Sequence, residues 1–232
     1  MNDRPIRIFP LGDTALTVEF GNVISPELNQ KALALAERIE SLSFPGFIET
    51  VPAYASATIF YDVVHVRRAF PELPTAFEAV KNIVLEQSVG LWGSSAANSR
   101  LIDIPVKFDR DGEFDLEFVA NEHEMSLDEV IATFIAMTYR VYMLGFLPGF
   151  SYMGEVDERI ATPRRETPRT LVPKGSIGIA GRQTGIYSLA SPGGWQIIGR
   201  TDAEMFTPNN ERPCRLQPGD MVRFYDAAEH SS

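Results

Sequence analysis

Short β-type segments dominate the C-terminal half of the chain and constrain its fold most strongly. They lie at residues 139–146, 176–180, 186–189, 195–198 and 221–225. Pro and Gly residues separate them, and no helical periodicity interrupts them. Many short strands between turn residues favour a closed barrel or a sandwich. This part of the chain is therefore predicted to be mainly β.

The N-terminal part instead mixes strands with helices. Residues 14–20 alternate apolar and polar side chains, as a strand does. Ser25 and Pro26 then predict the start of an amphipathic helix that runs to about Ser41. Two more strands at 47–52 and 56–62 and a second helix from Pro74 to about Ser88 follow. This interleaving predicts an α+β domain over residues 1–89, with two helices on one face of a sheet.

Residues 90–99 are small and polar and form the predicted linker between two domains. The second domain is predicted over residues 100–228. It opens with a strand at 101–108, and Ser126 and Glu129 form a capping box before a helix at about 127–139.

Charge is unevenly distributed along the chain. The formal net charge is −10, so a nucleic-acid partner is not expected. The segment Arg159–Arg200, however, carries seven basic residues and one acidic residue, and ten of the 17 glycines lie between Gly145 and Gly199. Arginine forks and exposed backbone amides favour a small anionic ligand. Alternatively, the arginines neutralise the protein's own acidic surface and the glycines only turn strands.

Several known chemical motifs are absent from the sequence. It has no phosphate-binding loop, no dinucleotide fingerprint and no Gly-x-Ser-x-Gly elbow. With one cysteine, Cys214, and three widely separated histidines, no metal site and no catalytic residue is evident. No apolar run approaches the roughly 18 residues that span a bilayer. A soluble, cytoplasmic protein without a membrane partner is expected.

The candidate binding residues lie in the glycine-rich, basic region. Pro163 and Pro168 exclude a helix there, so the intervening arginines are expected on an exposed loop. Cations suit a carboxylate, and amides suit a carbonyl oxygen. The aromatic residues Phe146, Phe150 and Trp195 are expected to lie in the core rather than to line a binding site. The candidate substrate-binding residues are Arg165, Arg169, Lys174, Gln183, Gly185, Tyr187, Gly194 and Trp195. Alternatively, a barrel simply has loops rich in Arg, Gly and Pro.

Three long motifs carry a family resemblance: GFLPGFSYMG from Gly145, ATPRRETPRTLVPKGSIGIAGRQTGIY from Ala161 and SPGGWQIIGRT from Ser191. They resemble the family of B-type 5-oxoprolinase subunits, also described as allophanate hydrolase subunit 1 or Kip-inhibitor (KipI-like) proteins. The likeness extends over nearly the whole chain. It implies an α+β N-terminal domain followed by a cyclophilin-like β-barrel.

The resemblance also implies that this chain is one subunit of a hydrolase and inactive alone. Its partners would be a C-type subunit of related fold and an A-type subunit, which together open 5-oxo-L-proline to glutamate with ATP hydrolysis. ATP is used by the complex and not clearly bound by this chain. Arg165, Arg169 and Lys174 would bind the carboxylate or a phosphorylated oxygen, and Gln183 and nearby amides would orient the lactam.

Two other functions remain open from the sequence. One is a binding protein that inhibits a histidine kinase, and the other is a subunit that acts on allophanate or a related urea derivative. The chain also departs from the family at Phe134, a position that is often His, five residues before Tyr139. The helical spacing predicts that Phe134 lies in the core.

Overall fold

The computed structural model describes residues 6–88 and 99–230, and the chain divides into two compact units between Ala97 and Asn98. The predicted linker at 90–99 lies outside the described residues except for Ser99. Across the described ranges, no helix combines the length and the apolar character that crossing a membrane requires.

The N-terminal unit contains a four-stranded antiparallel sheet in the order β1-β2-β4-β3. Its strands are β1 (Arg7–Pro10), β2 (Ala15–Glu19), β3 (Phe47–Pro52) and β4 (Ser56–Tyr61). The sequence does not predict the short β1, because four residues are too few to show a period.

Three helices accompany this sheet: α1 (Pro26–Leu42), α2 (Val63–Ala69) and α3 (Ala76–Ser88). The Ser25 side chain caps α1 by accepting a hydrogen bond from the Leu28 backbone N–H. Apolar side chains of α1 and α3 pack against those of β2 and β4 and form one buried core. The sequence does not predict helix α2, since its seven residues complete only two turns.

The second unit is built on a closed barrel of seven strands in the order β10-β7-β6-β13-β5-β12-β9. These strands are β5 (Leu101–Phe108), β6 (Thr138–Leu144), β7 (Ser151–Gly154), β9 (Ser176–Ala180), β10 (Gln183–Ile186), β12 (Gln196–Arg200) and β13 (Met221–Asp226). Strands β8 (Arg169–Val172) and β11 (Ser191–Gly193) form a separate ribbon. The barrel is consistent with the cyclophilin-like domain that the resemblance implies.

Helices α4 (Leu116–Glu122) and α5 (Leu127–Ile135) pack against strands β12 and β13 of the barrel, respectively. The predicted capping box is present at the start of α5. The helix ends earlier than residue 139, because the chain enters β6 at Thr138. Phe134 is fully buried, with its ring centroid 5.1 Å from that of Phe224. The residue that replaces the expected His is thus a core residue.

Candidate functional site

A cavity of about 710 Å³ lies between helix α4 and the loop 162–167. This volume is within the range of small-molecule sites. Helix α4 presents Phe118 and Glu122 to the cavity, while Leu116, Val119 and Ala120 face the core. The remaining lining residues are Phe114, Asp115, Thr162, Pro163, Arg164, Arg165, Glu166, Thr167 and Gln196.

Three hydrogen bonds hold the loop 162–167 against the barrel. The Gly181 N–H donates to the Thr162 carbonyl at 2.7 Å, and the Arg165 N–H donates to the Gly194 carbonyl at 2.8 Å. The Gln196 side chain donates from Nε2 to the Pro163 carbonyl at 3.0 Å. The prolines keep the loop extended, and these bonds fix where its arginines emerge.

Asp115 is the electrostatic centre of this site. Its side chain is only 2% exposed and accepts four hydrogen bonds of 2.7 Å: one from Arg165, two from Arg169 and one from the Ile197 backbone N–H. Buried carboxylates need such partners, because desolvation otherwise penalises the charge. The three side chains together carry one net positive charge.

Arg164 is an arginine of the cavity whose charge is not offset by a carboxylate of the described residues. Its guanidinium carbon lies 5.7 Å from the centre of the Trp195 ring, a cation–π arrangement. Within residues 6–88 and 99–230, no carboxylate forms an ion pair with it. Its exposed position and free charge suit an incoming anion.

An aromatic cluster, comprising Phe150, Tyr152, Tyr187 and Trp195, includes the ring over which the Arg164 guanidinium lies. Burial raises the pKa of the Tyr187 hydroxyl, so this group stays neutral. Gly185 lies against the cluster, where a Cβ would be 3.0 Å from Phe150 and 2.7 Å from the Ser151 carbonyl oxygen. Gly185 therefore allows the close packing of Phe150 and Ser151 against this strand.

The structure also brings His123 and Thr162 together, 39 residues apart in sequence. His123 Nε2 lies 3.0 Å from Thr162 Oγ1, whose hydroxyl donates to the Ile160 carbonyl at 3.1 Å. The imidazole N–H can then donate to the Thr162 oxygen. No group of three His, Cys, Asp or Glu side chains within the described ranges could hold a metal ion.

The predicted site residues separate into two groups. Arg165 lines the cavity, and Arg169 shares its Asp115 partner. Gly194 accepts the Arg165 N–H, and Tyr187, Trp195 and Gly185 belong to the aromatic region behind the loop.

Lys174 and Gln183, by contrast, do not line the cavity. Lys174 is exposed and pairs with exposed Glu204 at 2.6 Å, and Gln183 begins strand β10. The predicted role of both in one hollow with Arg165 has no geometric support. Of the aromatic residues, Phe150 and Trp195 are buried as expected, but Phe146 is exposed.

The candidate residues chosen from the sequence did not include Arg164, Gln196 or Asp115, although Arg164 was expected among the arginines of the exposed loop. Arg164 is adjacent to Arg165 in a basic run, and nothing in the sequence tells which of the two finds an acidic partner. Asp115 lies 50 residues before Arg165, outside the basic segment. The excess of arginines over acidic residues in 159–200 was the one sequence signal that an acidic side chain from another segment pairs with them.

Residues 6–216 match the family model of the carboxyltransferase domain, subdomain C and D. The chain is 43% identical to the B-type 5-oxoprolinase subunit of Bacillus subtilis (strain 168) over 226 residues, which cover 96% of this chain and 93% of that protein. The solved structure of TTHA0988 matches 92% of this chain with a TM-score of 0.77 and 38% identity. This chain covers only 40% of TTHA0988.

A fourth match concerns the fold alone. The Kluyveromyces lactis urea carboxylase is 19% identical and has a TM-score of 0.75, with coverage of 97% of this chain and 22% of that protein. The family model and the full-length relative agree with the motifs at Gly145, Ala161 and Ser191. The chain therefore belongs to the family of B-type 5-oxoprolinase subunits, with the carboxyltransferase C and D subdomain.

Proposed function

We propose that this chain is a subunit of an ATP-dependent 5-oxoprolinase complex and holds its anionic substrate while 5-oxo-L-proline is opened to L-glutamate. The observation that carries the proposal is the match to the B-type 5-oxoprolinase subunit along almost the full length of both proteins. We assign the substrate site to the cavity that Arg164 and Arg165 line.

The reaction makes three demands on such a site. The substrate carries a carboxylate, and its ring amide offers a carbonyl oxygen and an N–H. Opening adds water to the carbonyl carbon, breaks the C–N bond and leaves a proton on the nitrogen. Because amide resonance opposes this attack, phosphorylation of the carbonyl oxygen by ATP, with release of ADP, would activate the carbon, and inorganic phosphate would leave as the new carboxylate forms. We assign ATP use to the complex and substrate positioning to this chain.

Arg164 is the proposed partner of the substrate carboxylate. Arg164 is one of the residues that line the cavity, and its guanidinium lies over the Trp195 ring. Arg165 and Arg169 add positive potential but are held by Asp115. A fixed charge costs less reorganisation when an anion or phosphorylated intermediate forms. Lys174 and Gln183 are not part of this proposal.

The partners are proposed to be the C-type and A-type subunits. TTHA0988 supports this, because a region similar to this chain forms 40% of a longer polypeptide there. The fold likeness to urea carboxylase does not extend to the substrate at 19% identity. Action on allophanate and inhibition of a kinase are therefore outcomes to be tested.

Reconstitution tests the proposed function directly. The three subunits are co-expressed, and glutamate release from 5-oxo-L-proline is measured with and without ATP. We expect release only when ATP and this chain are both present. Release without this chain, or turnover of allophanate in place of 5-oxoproline, would contradict the proposal. Binding of the isolated chain to a histidine kinase would support the inhibitor function.

The Arg164→Ala variant tests the site within that complex. Loss of one charge-assisted hydrogen bond at an exposed position should raise KM about tenfold. The free energy of unfolding should fall by at most about 1 kcal/mol, since Arg164 forms no ion pair within the described ranges and loses only its contact with the Trp195 ring. The matched control is Arg159→Ala, which removes an exposed arginine paired with Asp157 outside the cavity. Equal KM values for both variants would exclude Arg164 from the site.

A further inference from the structure

We infer that Gln196 recognises the amide N–H of the substrate and so selects anions that carry a secondary amide. This inference rests on the proposed function and deepens it. Gln196 opens strand β12, is 3% exposed and lines the cavity. Its Nε2 donates to the Pro163 carbonyl, while its Oε1 has no hydrogen-bond partner among the described residues.

The Pro163 carbonyl fixes which way the carboxamide points. A carbonyl oxygen only accepts hydrogen bonds, so the NH₂ group must face it. Rotation of the amide by half a turn would place Oε1 against another acceptor and lose the 3.0 Å bond. Oε1 is therefore the polar atom of the side chain that is left without a partner among the described residues, and a ligand that reaches it must donate a hydrogen bond.

A buried acceptor without a partner is costly, about 1–3 kcal/mol. A ligand that donates a hydrogen bond to Oε1 removes that cost, and one that offers a second acceptor increases it. Carboxylate, phosphoryl and carbonyl oxygens are all acceptors. The group on 5-oxoproline that can donate here is the ring N–H. The oxygen is nearly closed to solvent, so flanking side chains must shift slightly, as is common on binding.

Arg164 and Gln196 then favour two different groups on one small molecule. The arginine takes a negative group, and the glutamine takes an N–H. Their combination describes a small anion with a secondary amide, and an ester or lactone of the same shape would lack the donor. A site that pairs with a substrate N–H discriminates strongly against the analogue without it. Gln196 thus takes the role that the sequence had given to Gln183.

The test compares 5-oxo-L-proline with its lactone analogue, 5-oxotetrahydrofuran-2-carboxylate, in the reconstituted complex. The lactone is measured as a competitive inhibitor, and its Ki is divided by the Michaelis constant for the lactam substrate. For the wild type we expect a ratio of at least ten. In Gln196→Met, which keeps the length but removes both polar atoms, the ratio should fall towards one, mainly through weaker binding of the lactam.

Controls separate recognition from loop damage. Loss of the Pro163 bond in Gln196→Met would weaken both molecules equally and leave the ratio unchanged, which would overturn the inference. Gln183→Met, outside the cavity, should keep the wild-type ratio. A wild-type ratio near one would also overturn the inference, even if the variant failed to assemble. If the complex releases glutamate but the ratio does not respond, Gln196 alone is wrong; if no glutamate is released, the proposed function fails first.

Discussion

Two carboxylates that pair with the same basic segment show how burial distinguishes a structural charge from a solvent-exposed one. Asp115 binds Arg165 and Arg169 at 2.7 Å, and Glu204 binds Lys174 at 2.6 Å. The distances are nearly equal. The Asp115 side chain is 2% exposed and that of Glu204 is 61% exposed. Distance alone therefore says little about what each pair contributes.

The difference lies in what happens when one partner is removed. An exposed pair is screened by water and contributes about 0–1 kcal/mol. Removing one member of a buried pair leaves charges without compensation and costs about 3–5 kcal/mol. Asp115 also accepts from the Ile197 N–H, so it ties the start of α4 to strand β12. The buried cluster should therefore determine both local stability and the position of the arginines.

The largest expected effect follows from Asp115→Ala. The substitution removes four hydrogen bonds and leaves Arg165 and Arg169 facing each other. The free energy of unfolding should fall by about 3–5 kcal/mol in urea denaturation. Glu204→Ala is the matched control and should change it by less than about 1 kcal/mol. Similar losses for the two variants would remove the distinction between the pairs.

An intermediate effect is expected when the two arginines of the cluster are compared. Arg169 donates two hydrogen bonds to Asp115 and lies 5.7 Å from the centre of the Phe114 ring. Arg165 donates one and is more exposed, at 37% against 20%. Because Asp115 keeps its other arginine partner in each single variant, the loss is smaller than for Asp115→Ala. Arg169→Ala should lower the free energy of unfolding by about 2 kcal/mol and Arg165→Ala by about 1 kcal/mol, as measured by urea denaturation.

The reverse order of these two losses would show that Arg165, and not Arg169, is the main partner of Asp115. A double substitution adds information, because the two residues share one carboxylate. Its cost should differ from the sum of the single costs by at least about 0.5 kcal/mol. Strict additivity would mean that the arginines act independently.

Local chemistry explains which elements were predictable from the sequence. Ser25 caps α1, Ser126 and Glu129 form the capping box of α5, and the alternating residues of 14–20 contain β2, because each signal acts within a few residues. Short elements such as α4 were not predicted, because seven residues are too few to reveal a helical period.

The site was less predictable, because its contacts join distant segments. Glycine and arginine enrichment pointed to the segment that contributes the loop 162–167 and Gln196 to the cavity. Composition could not tell which cation would be neutralised. Asp115 lies 54 residues before Arg169, and Arg164 contacts the ring of Trp195, 31 residues later in the chain and directly before β12. The residue types indicated an anion-binding chemistry, whereas the fold determines which arginine pairs with Asp115.

The smallest expected effect is that of Lys174→Ala, which directly contrasts the two cations that the sequence grouped together. Lys174 is exposed, pairs with an exposed carboxylate and does not line the cavity. Its loss should change the free energy of unfolding by less than about 1 kcal/mol. In the reconstituted complex the KM for the lactam substrate should stay within about twofold of the wild type, whereas Arg165→Ala should raise KM by about threefold to tenfold, since one unit of nearby positive charge is lost. A KM increase in Lys174→Ala as large as in Arg165→Ala would mean that the substrate also contacts the Lys174–Glu204 surface, and the site would have to extend beyond the cavity beside α4.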